Sequence, residues 1–297
     1  MTTSPHIPVL LHDILIHLDI QPTDHVCDFT AGFGGHGQEI IKKLNSQGKY
    51  IGLDQDITAV NYCKNLYKTQ TNCHIHHVNF KDFDTALKHH QLNSIDKCLI
   101  DLGISSYQLD EASRGFSHRN DAPLDMRMNQ DQQQNAQTIL NSYSSSQLSD
   151  LFYNYGELKH NRNLVDNIYR QRKKNPIKST FQLCELIRKS YAFKNNHKLY
   201  VKTCSKVFQA IRMEVNQELN TIESTLTKLE NYIHTTSIIA IITFHSLEDR
   251  LVKQLIKKSA ILTFEPKKVI KPTYQECLKN PRARSAKCRI IKHKTPK

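Results

Sequence analysis

The sequence predicts an α/β fold, a parallel sheet with helices on both faces, interrupted by a helical insertion over 105–206. Three observations predict it. Strand-like and helix-like segments alternate through the first hundred of the 297 residues. Glycine is concentrated in one loop between the first strand and the first helix. The alternation breaks after residue 104 and resumes at Phe208. Strands alternating with helices build a parallel sheet.

The elements follow in order. Strands are expected at 25–29, 49–54, 74–79 and 95–102, with helices at 36–46, 57–69 and 81–90 between them. The first strand ends in Asp28-Phe-Thr-Ala-Gly32-Phe-Gly34-Gly35-His36-Gly37, which holds four of the nine glycines in six positions. Glycine costs chain entropy and is used where the backbone needs positive φ or must approach a ligand closely. Strand, glycine loop and helix together make a nucleotide-binding corner. The second strand ends in Asp54, 22 residues after Gly32, where a carboxylate can accept both ribose hydroxyls of an adenosine. An NAD(P) site and an S-adenosylmethionine site share this corner, so both remain open at this point.

Over 105–206 helices are expected at 146–155 and 161–174. From Phe208 an apolar stripe through Ile211, Val215, Leu219, Ile222, Leu226, Leu229 and Ile233 marks one face of a long helix packed on the sheet. A buried strand at 237–243, a helix at 247–258 and weaker strands near 261–265 and 288–292 complete the pattern. The segment 266–287 reads as a long functional loop. These elements give a sheet domain from 1–104 and 207–297 around the insertion at 105–206.

Composition narrows the partners. The formal net charge is +13, but residues 156–206 hold 13 Lys/Arg against 3 Asp/Glu and residues 266–297 hold 11 against 1. Two basic zones on a mildly acidic body suggest a polyanion-binding surface. No apolar run approaches a membrane span, and the N-terminus lacks a basic segment followed by an apolar one, so the expected location is the cytoplasm, with no membrane partner. Eight cysteines without a Cys-x-x-Cys pair argue for reduced thiols and against structural zinc. His74, His76 and His77 resemble metal ligands. Strand alternation sends His74 and His76 to one face and His77 to the other, and no Asp, Glu or Cys partner stands at ligand spacing. They are expected to be ordinary polar histidines, and no metal site is expected.

Ligands of an open parallel sheet bind beyond the carboxyl ends of its strands. There the sequence places the glycine loop, Asp101-Leu-Gly-Ile-Ser-Ser106 and Phe244-His-Ser-Leu-Glu-Asp-Arg250. If the acceptor is an exocyclic base amine, its lone pair is delocalised into the ring. A carboxylate accepting its N–H would restore nucleophilicity, and Asp101 is the candidate, with a turn-capping role open beside it. His245 is a second catalytic candidate, shaping the base pocket.

The ordered blocks His6-x-Pro-Val-Leu-Leu11, Gly34-Gly-His36, Asp101-Leu-Gly-Ile-Ser-Ser106-x-Gln-Leu-Asp110, Arg114-Gly-Phe-Ser117, Pro123-Leu-Asp-Met-Arg-Met128, Phe208-Gln-Ala-Ile-Arg212, Phe244-His-Ser-Leu-Glu-Asp-Arg250 and Asn280-Pro-Arg-Ala-Arg-Ser285 span nearly the whole chain. Together they resemble the bacterial 16S ribosomal RNA (cytosine-N4) methyltransferase family. The resemblance implies a class I, Rossmann-like S-adenosylmethionine-dependent methyltransferase fold with an inserted helical domain that binds RNA. It implies methyl transfer to N4 of a decoding-centre cytidine, on an assembled small subunit. Carried over by motif, Gly34, Gly35, His36, Asp54, Phe80, Asp101 and Gln108 would bind the cofactor S-adenosyl-L-methionine, Asp54 at the ribose and Phe80 at the adenine. Lys206, Arg282 and Arg284 are the candidate contacts to 16S rRNA. Monomer and homodimer both stay open.

One block departs from the family pattern. Lys202-Thr-Cys-Ser-Lys206 stands where relatives carry His-Pro-Ala-Thr-Arg, which puts a substrate role for that segment in doubt. It also creates a decoy, since Thr203-Cys204-Ser205 resembles the nucleophile motif of cytosine-C5 RNA methyltransferases. Two further alternatives are an NAD(P)-dependent dehydrogenase and a ribosome-assembly factor that has kept the fold without activity.

Overall fold

The structure, a computed structural model, describes residues 7–294, so His6 of the first motif block lies outside the described residues. It divides into two compact units, one comprising the chain up to Gly103 and from Leu219 on, the other Ile104–Glu218.

The first unit is built on seven strands: β1 (His25–Asp28), β2 (Lys49–Asp54), β3 (Cys73–His77), β4 (Ile95–Asp101), β5 (Ile233–Thr243), β6 (Leu262–Phe264) and β7 (Lys287–His293). Their order is β3-β2-β1-β4-β5-β7-β6. The first five are parallel, and β7 runs antiparallel to both β5 and β6. Successive strand residues point to opposite faces, and here they enter two separate cores. Cys27, Ile51, Cys98, Ile239 and Ile241 join Phe29, Phe83, Leu226 and Val252 on one side. Val26, Tyr50, Leu99, Ala240 and Ile242 join Ile14, Leu18, Ile40 and Ile290 on the other. A strand buried on both faces needs continuous apolar sequence, which is why β5 reads Ile-Ile-Ala-Ile-Ile. Each Val, Leu, Ile or Phe so buried contributes about 1.5–3 kcal/mol.

Helices Leu11–Leu18, Gly35–Ile41, Ile57–Leu66, Phe83–His89, Glu218–Leu229 and Ser246–Lys258 accompany these strands. Strand ends fall within two residues of expectation, except that β5 starts at Ile233, four residues early. The helix after the glycine loop stops at Ile41 rather than at 46.

The long helix expected from Phe208 to Ile233 is two helices. His197–Val215 ends at Asn216, whose side chain accepts from Met128 N (2.8 Å) and donates to the Met126 carbonyl (2.8 Å). Gln217 then adopts φ 50°, which a continuing right-handed helix forbids. The apolar stripe divides at this break. Phe208, Ile211 and Val215 belong to the core of the helical unit, whereas Leu219, Ile222, Leu226 and Leu229 belong to the sheet core. The helical unit therefore runs to Glu218, past the expected boundary at 206, because its last helix continues unbroken through that position.

That second unit contains helices Ser106–Asp110, Ala136–Ser142, Ser145–Asn154, Arg162–Lys174, Thr180–Ser190 and His197–Val215. Ser144 with Gln147 and Ser179 with Gln182 form capping boxes that start two of them, satisfying otherwise orphaned N–H groups. Leu148, Phe152, Leu164, Ile168, Leu183, Ile187, Val207 and Ile211 fill its core.

The segment 266–287 is not a plain loop. It holds the helix Tyr274–Lys279, a 3-10 turn over Pro281–Ser285 and a bridge between Ile270 and Cys288.

Candidate active site

The glycine loop is shaped by what its glycines leave room for. Gly32 and Gly34 have φ of 51° and 75°, the left-handed region that favours glycine. A Cβ on Gly37 would lie 2.5 Å from the Tyr50 hydroxyl and 2.7 Å from that of Tyr67. Those hydroxyls are at work. Tyr50 donates to Asp28 Oδ2 (2.9 Å) and Tyr67 to the Gly34 carbonyl (2.9 Å). Asp54 braces the loop from β2, its Oδ2 accepting from Gly32 N (2.8 Å) and its Oδ1 from Asp56 N (2.8 Å). A carboxylate offers about four lone-pair positions, so Asp54 keeps acceptor capacity for ribose hydroxyls.

Four carboxyls collect along the carboxyl edge of the parallel strands: Asp28, Asp54 and Asp101 end β1, β2 and β4, and Glu248 lies just beyond β5. Burial pushes Asp28 and Asp54 up to about 6. Burial, together with the charges of Asp28 and Glu248, holds Asp101 well above the usual carboxylate range. Asp101 Oδ1 is buried without a hydrogen-bond partner, and Oδ2 stands 3.9 Å from His36 Nδ1. The backbone there is locked, since Asp101 N donates to Thr30 Oγ1 (2.7 Å).

His36 is buried, with Nε2 3.0 Å from the Val9 carbonyl. A carbonyl only accepts, so that contact puts a ring proton on Nε2, and Nδ1 faces Asp101. Pro8 packs where a Gly35 side chain would project, 3.2 Å from its Cβ position. The N-terminal segment is itself held by Glu276, which accepts from Leu10 N (2.7 Å), and by Asn280, which donates to the Ile7 carbonyl (3.2 Å). The basic segment thus anchors the chain that covers the glycine loop, with Arg282 and Arg284 flanking the buried Ala283.

Phe80 begins the 3-10 turn after β3. With Ile100, Leu102, Ile222, Thr225, Leu226 and Ile241 it lines a small apolar void at the end of β4, far below the size of a ligand pocket. His245 is the N-cap of helix Ser246–Lys258, a role the sequence reading did not include. Glu248 N donates to its Nδ1 (3.4 Å), and Glu248 Oε2 accepts from Phe244 N (2.8 Å) and His245 N (3.2 Å). His245 Nε2 is 3.1 Å from Glu248 Oε1 but misaligned for a hydrogen bond. Asp249, next along, holds Arg289 (2.7 Å) and Lys287 (3.2 Å) on β7.

Gly34, Gly35, His36, Asp54, Phe80, Asp101 and His245 all belong to the sheet unit. Gln108 and Lys206 belong to the helical unit. Gln108 closes a capping box with Ser105, and Lys206 donates to the Glu157 carbonyl (3.3 Å). Cys204 is buried on helix His197–Val215 in that unit's apolar core. Cys184 and Tyr200, hydrogen-bonded to it, and nearby Arg188 lower its pKa against the opposing effect of burial, but a nucleophile there has no approach to a base. The cytosine-C5 alternative is overturned on that ground. Sequence reasoning missed Asp28, Thr30, Tyr50 and Tyr67. The Gly34–Gly37 spacing was the available signal for the two tyrosines, because a glycine is needed where a ring must approach.

The fold and this acid-edged corner define an α/β methyltransferase. Residues 3–294 match the model of the MraW methylase family. A protein of Clostridium botulinum (strain Loch Maree / Type A3) named Ribosomal RNA small subunit methyltransferase H is 40% identical over 305 residues, covering 97% of this chain and 98% of that one. One of the same name from Ureaplasma parvum serovar 3 is 40% identical over 301 residues, covering 96% and 97%. Among solved structures, an rRNA methylase from Streptococcus thermophilus aligns over 96% of this chain and 94% of its own, with TM-score 0.44 and 10% identity. The chain belongs to the MraW methylase family.

Proposed function

We propose that this protein transfers a methyl group from S-adenosylmethionine to the exocyclic N4 amine of a decoding-centre cytidine in 16S rRNA, within the small ribosomal subunit and in the cytoplasm. As a family member it is an S-adenosylmethionine-dependent rRNA methyltransferase, and its macromolecular substrate is RNA. The observation that supports the cofactor is the row of carboxyls at the strand ends, Asp28 and Glu248 buried and Asp54 and Asp101 partly so. Such a row suits a cation. It repels the pyrophosphate of NAD(P), and the sheet order, with β7 inserted antiparallel, differs from the two-half dinucleotide order. The dehydrogenase alternative loses support on both counts.

The residues fit the cofactor. Asp54 would take the ribose hydroxyls, Phe80 would contact the adenine, and Gly34 and Gly35 would allow the close backbone approach, while His36 holds the loop against Val9. When bound, S-adenosylmethionine supplies an electrophilic methyl on a sulfonium. Asp101, ionised beside that positive charge, accepts an N–H of the base amine and raises its nucleophilicity. Aligning the amine with the methyl does much of the rest, and the product amine has one proton to lose. Arg282, Arg284 and Lys206, in the two basic zones, would contact RNA phosphates, and Gln108 would complete the cofactor shell.

The test is transfer of labelled methyl to small subunits lacking the modification, followed by nucleoside mass spectrometry. N4-methylated cytidine at one decoding-centre site is expected. Cofactor binding without transfer to any assembly state of the subunit would favour the assembly-factor alternative.

A further inference from the structure

The helix Tyr274–Lys279 presents two faces with different surroundings. Thr273 caps it, accepting from Glu276 N (3.1 Å). Residues four apart share a helix face, and residues two apart fall on opposite ones. Glu276 and, at the C-cap, Asn280 are tied to Leu10 N and to the Ile7 carbonyl. Tyr274 and Leu278 make the opposite face, 78% and 58% exposed. Tyr274 is the most exposed large hydrophobic side chain among the described residues. Apolar surface left open within a polar rim marks a place of interaction.

The rim is cationic. Residues 266–297 hold 11 Lys/Arg against 1 Asp/Glu, and that one acid, Glu276, is engaged by Leu10 N. On β7, Lys287 and Arg289 are paired with Asp249, and Lys292 with Glu265. Lys267, Lys268, Lys271, Lys279 and Arg284 are exposed and make no ion pair among the described residues. Lys271 and Lys279 bracket Tyr274 along the chain. The ligand that matches an open aromatic ring among free cations carries flat apolar faces and repeated negative charge. Single-stranded nucleic acid is that ligand, its bases stacking on aromatic side chains and its phosphates meeting Lys and Arg. A base within a duplex has its faces covered by its neighbours, so the ring suits an unpaired one.

We propose that Tyr274, with Leu278 beside it, is a stacking platform for an unpaired base of the RNA substrate, flanked by phosphate contacts from Lys271, Lys279 and Arg284. The platform rests on the RNA substrate proposed above and adds a base contact to it, where the arginines supply phosphate contacts alone. Because Glu276 and Asn280 hold the segment that covers the glycine loop, the base docks on the outer side of that cover.

The test is filter binding of the full chain and its Tyr274→Phe, Tyr274→Leu and Tyr274→Ala variants to two probes. One is a single-stranded oligoadenylate, the other an abasic ribose-phosphate oligomer of the same length, with the same charge and no bases. The wild type should bind the oligoadenylate more tightly. Tyr274→Ala should weaken oligoadenylate binding by about 5- to 150-fold, the equivalent of one lost base stack. It should leave the abasic affinity and the salt slope in place, since no cation is removed. Tyr274→Phe should bind as the wild type does, whereas Tyr274→Leu, apolar without a ring, should fall with the alanine variant. Equal wild-type affinity for the two probes, an alanine variant as tight as the wild type, or full affinity in Tyr274→Leu would overturn the proposal. A wild-type dimer that Tyr274→Ala dissociates would overturn it in favour of a contact between two copies of this chain. Methyl transfer reads separately: ring-dependent binding in a chain that methylates no small subunit upholds the platform and removes the methyltransferase reading.

Discussion

Asp54 Oδ1 and Oδ2 each accept a backbone N–H, from Asp56 and from Gly32, so Asp54→Asn forces an amide NH2 against one of these donors. Leaving a buried donor unmet costs about 1–3 kcal/mol, and the part of it that disorders the glycine loop is lost from cofactor binding. Calorimetry should show S-adenosylmethionine bound roughly 10- to 100-fold more weakly, and unchanged affinity would remove Asp54 from the site. Asp101 makes a second prediction, through its proton. Burial, with the charges of Asp28 and Glu248, raises its pKa and favours the protonated form in the free protein, and the sulfonium of the cofactor favours the ionised form. Binding S-adenosylmethionine therefore releases a proton, and its affinity rises with pH until the carboxyl of the free protein is itself ionised. The demethylated product, a neutral thioether, lacks that charge and should show a flatter profile. Asp101→Asn should make the two profiles parallel. If the wild-type profiles are already parallel, Asp101 does not answer to the cofactor charge.

At the scale of elements, capping and apolar period explain both what the sequence reveals and what it hides. β1, β2 and β4 were legible because continuous apolar runs end in aspartates. The break at Asn216 was not, because the stripe from Phe208 to Leu229 keeps helical period across it. Only the tertiary bonds of Asn216 to Met126 and Met128 and the positive φ of Gln217 reveal that two cores share one stripe. The same limit applies to His245. Its place after β5 pointed to the site, while its cap on Glu248 N depends on a rotamer no pattern encodes. The two roles are separable. His245→Ala removes the cap and should cost about 1 kcal/mol of stability, read as a lowered Tm, together with a loss of turnover larger than the loss of cofactor affinity. His245→Asn keeps a capping side chain and should restore Tm without restoring turnover. Recovery of both would leave His245 with structural work alone.

For the whole molecule, charge is the property that composition alone revealed and the structure then distributed. The zone 156–206 falls in the helical unit, and Arg282 and Arg284 sit on a short turn pinned by the buried Ala283. That turn is continuous with Asn280 and Glu276, which hold the N-terminal segment over the glycine loop. The proposed RNA contact and the glycine loop are thereby carried on one tied piece of the sheet unit. Each phosphate neutralised contributes about −0.7 to −0.9 to the slope of log affinity against log salt. Replacing Arg282 and Arg284 together by alanine, with Ala283 left in its pocket, should make the slope for small-subunit RNA shallower by about 1.5 and leave the affinity for S-adenosylmethionine in place. Filter binding across a salt series reads the first, and calorimetry the second. An unchanged slope would reduce the arginines to solvated charge. A loss of cofactor affinity alongside a flattened slope would show instead that the turn had come away from the N-terminal segment, and that the RNA effect followed from the glycine loop losing its cover.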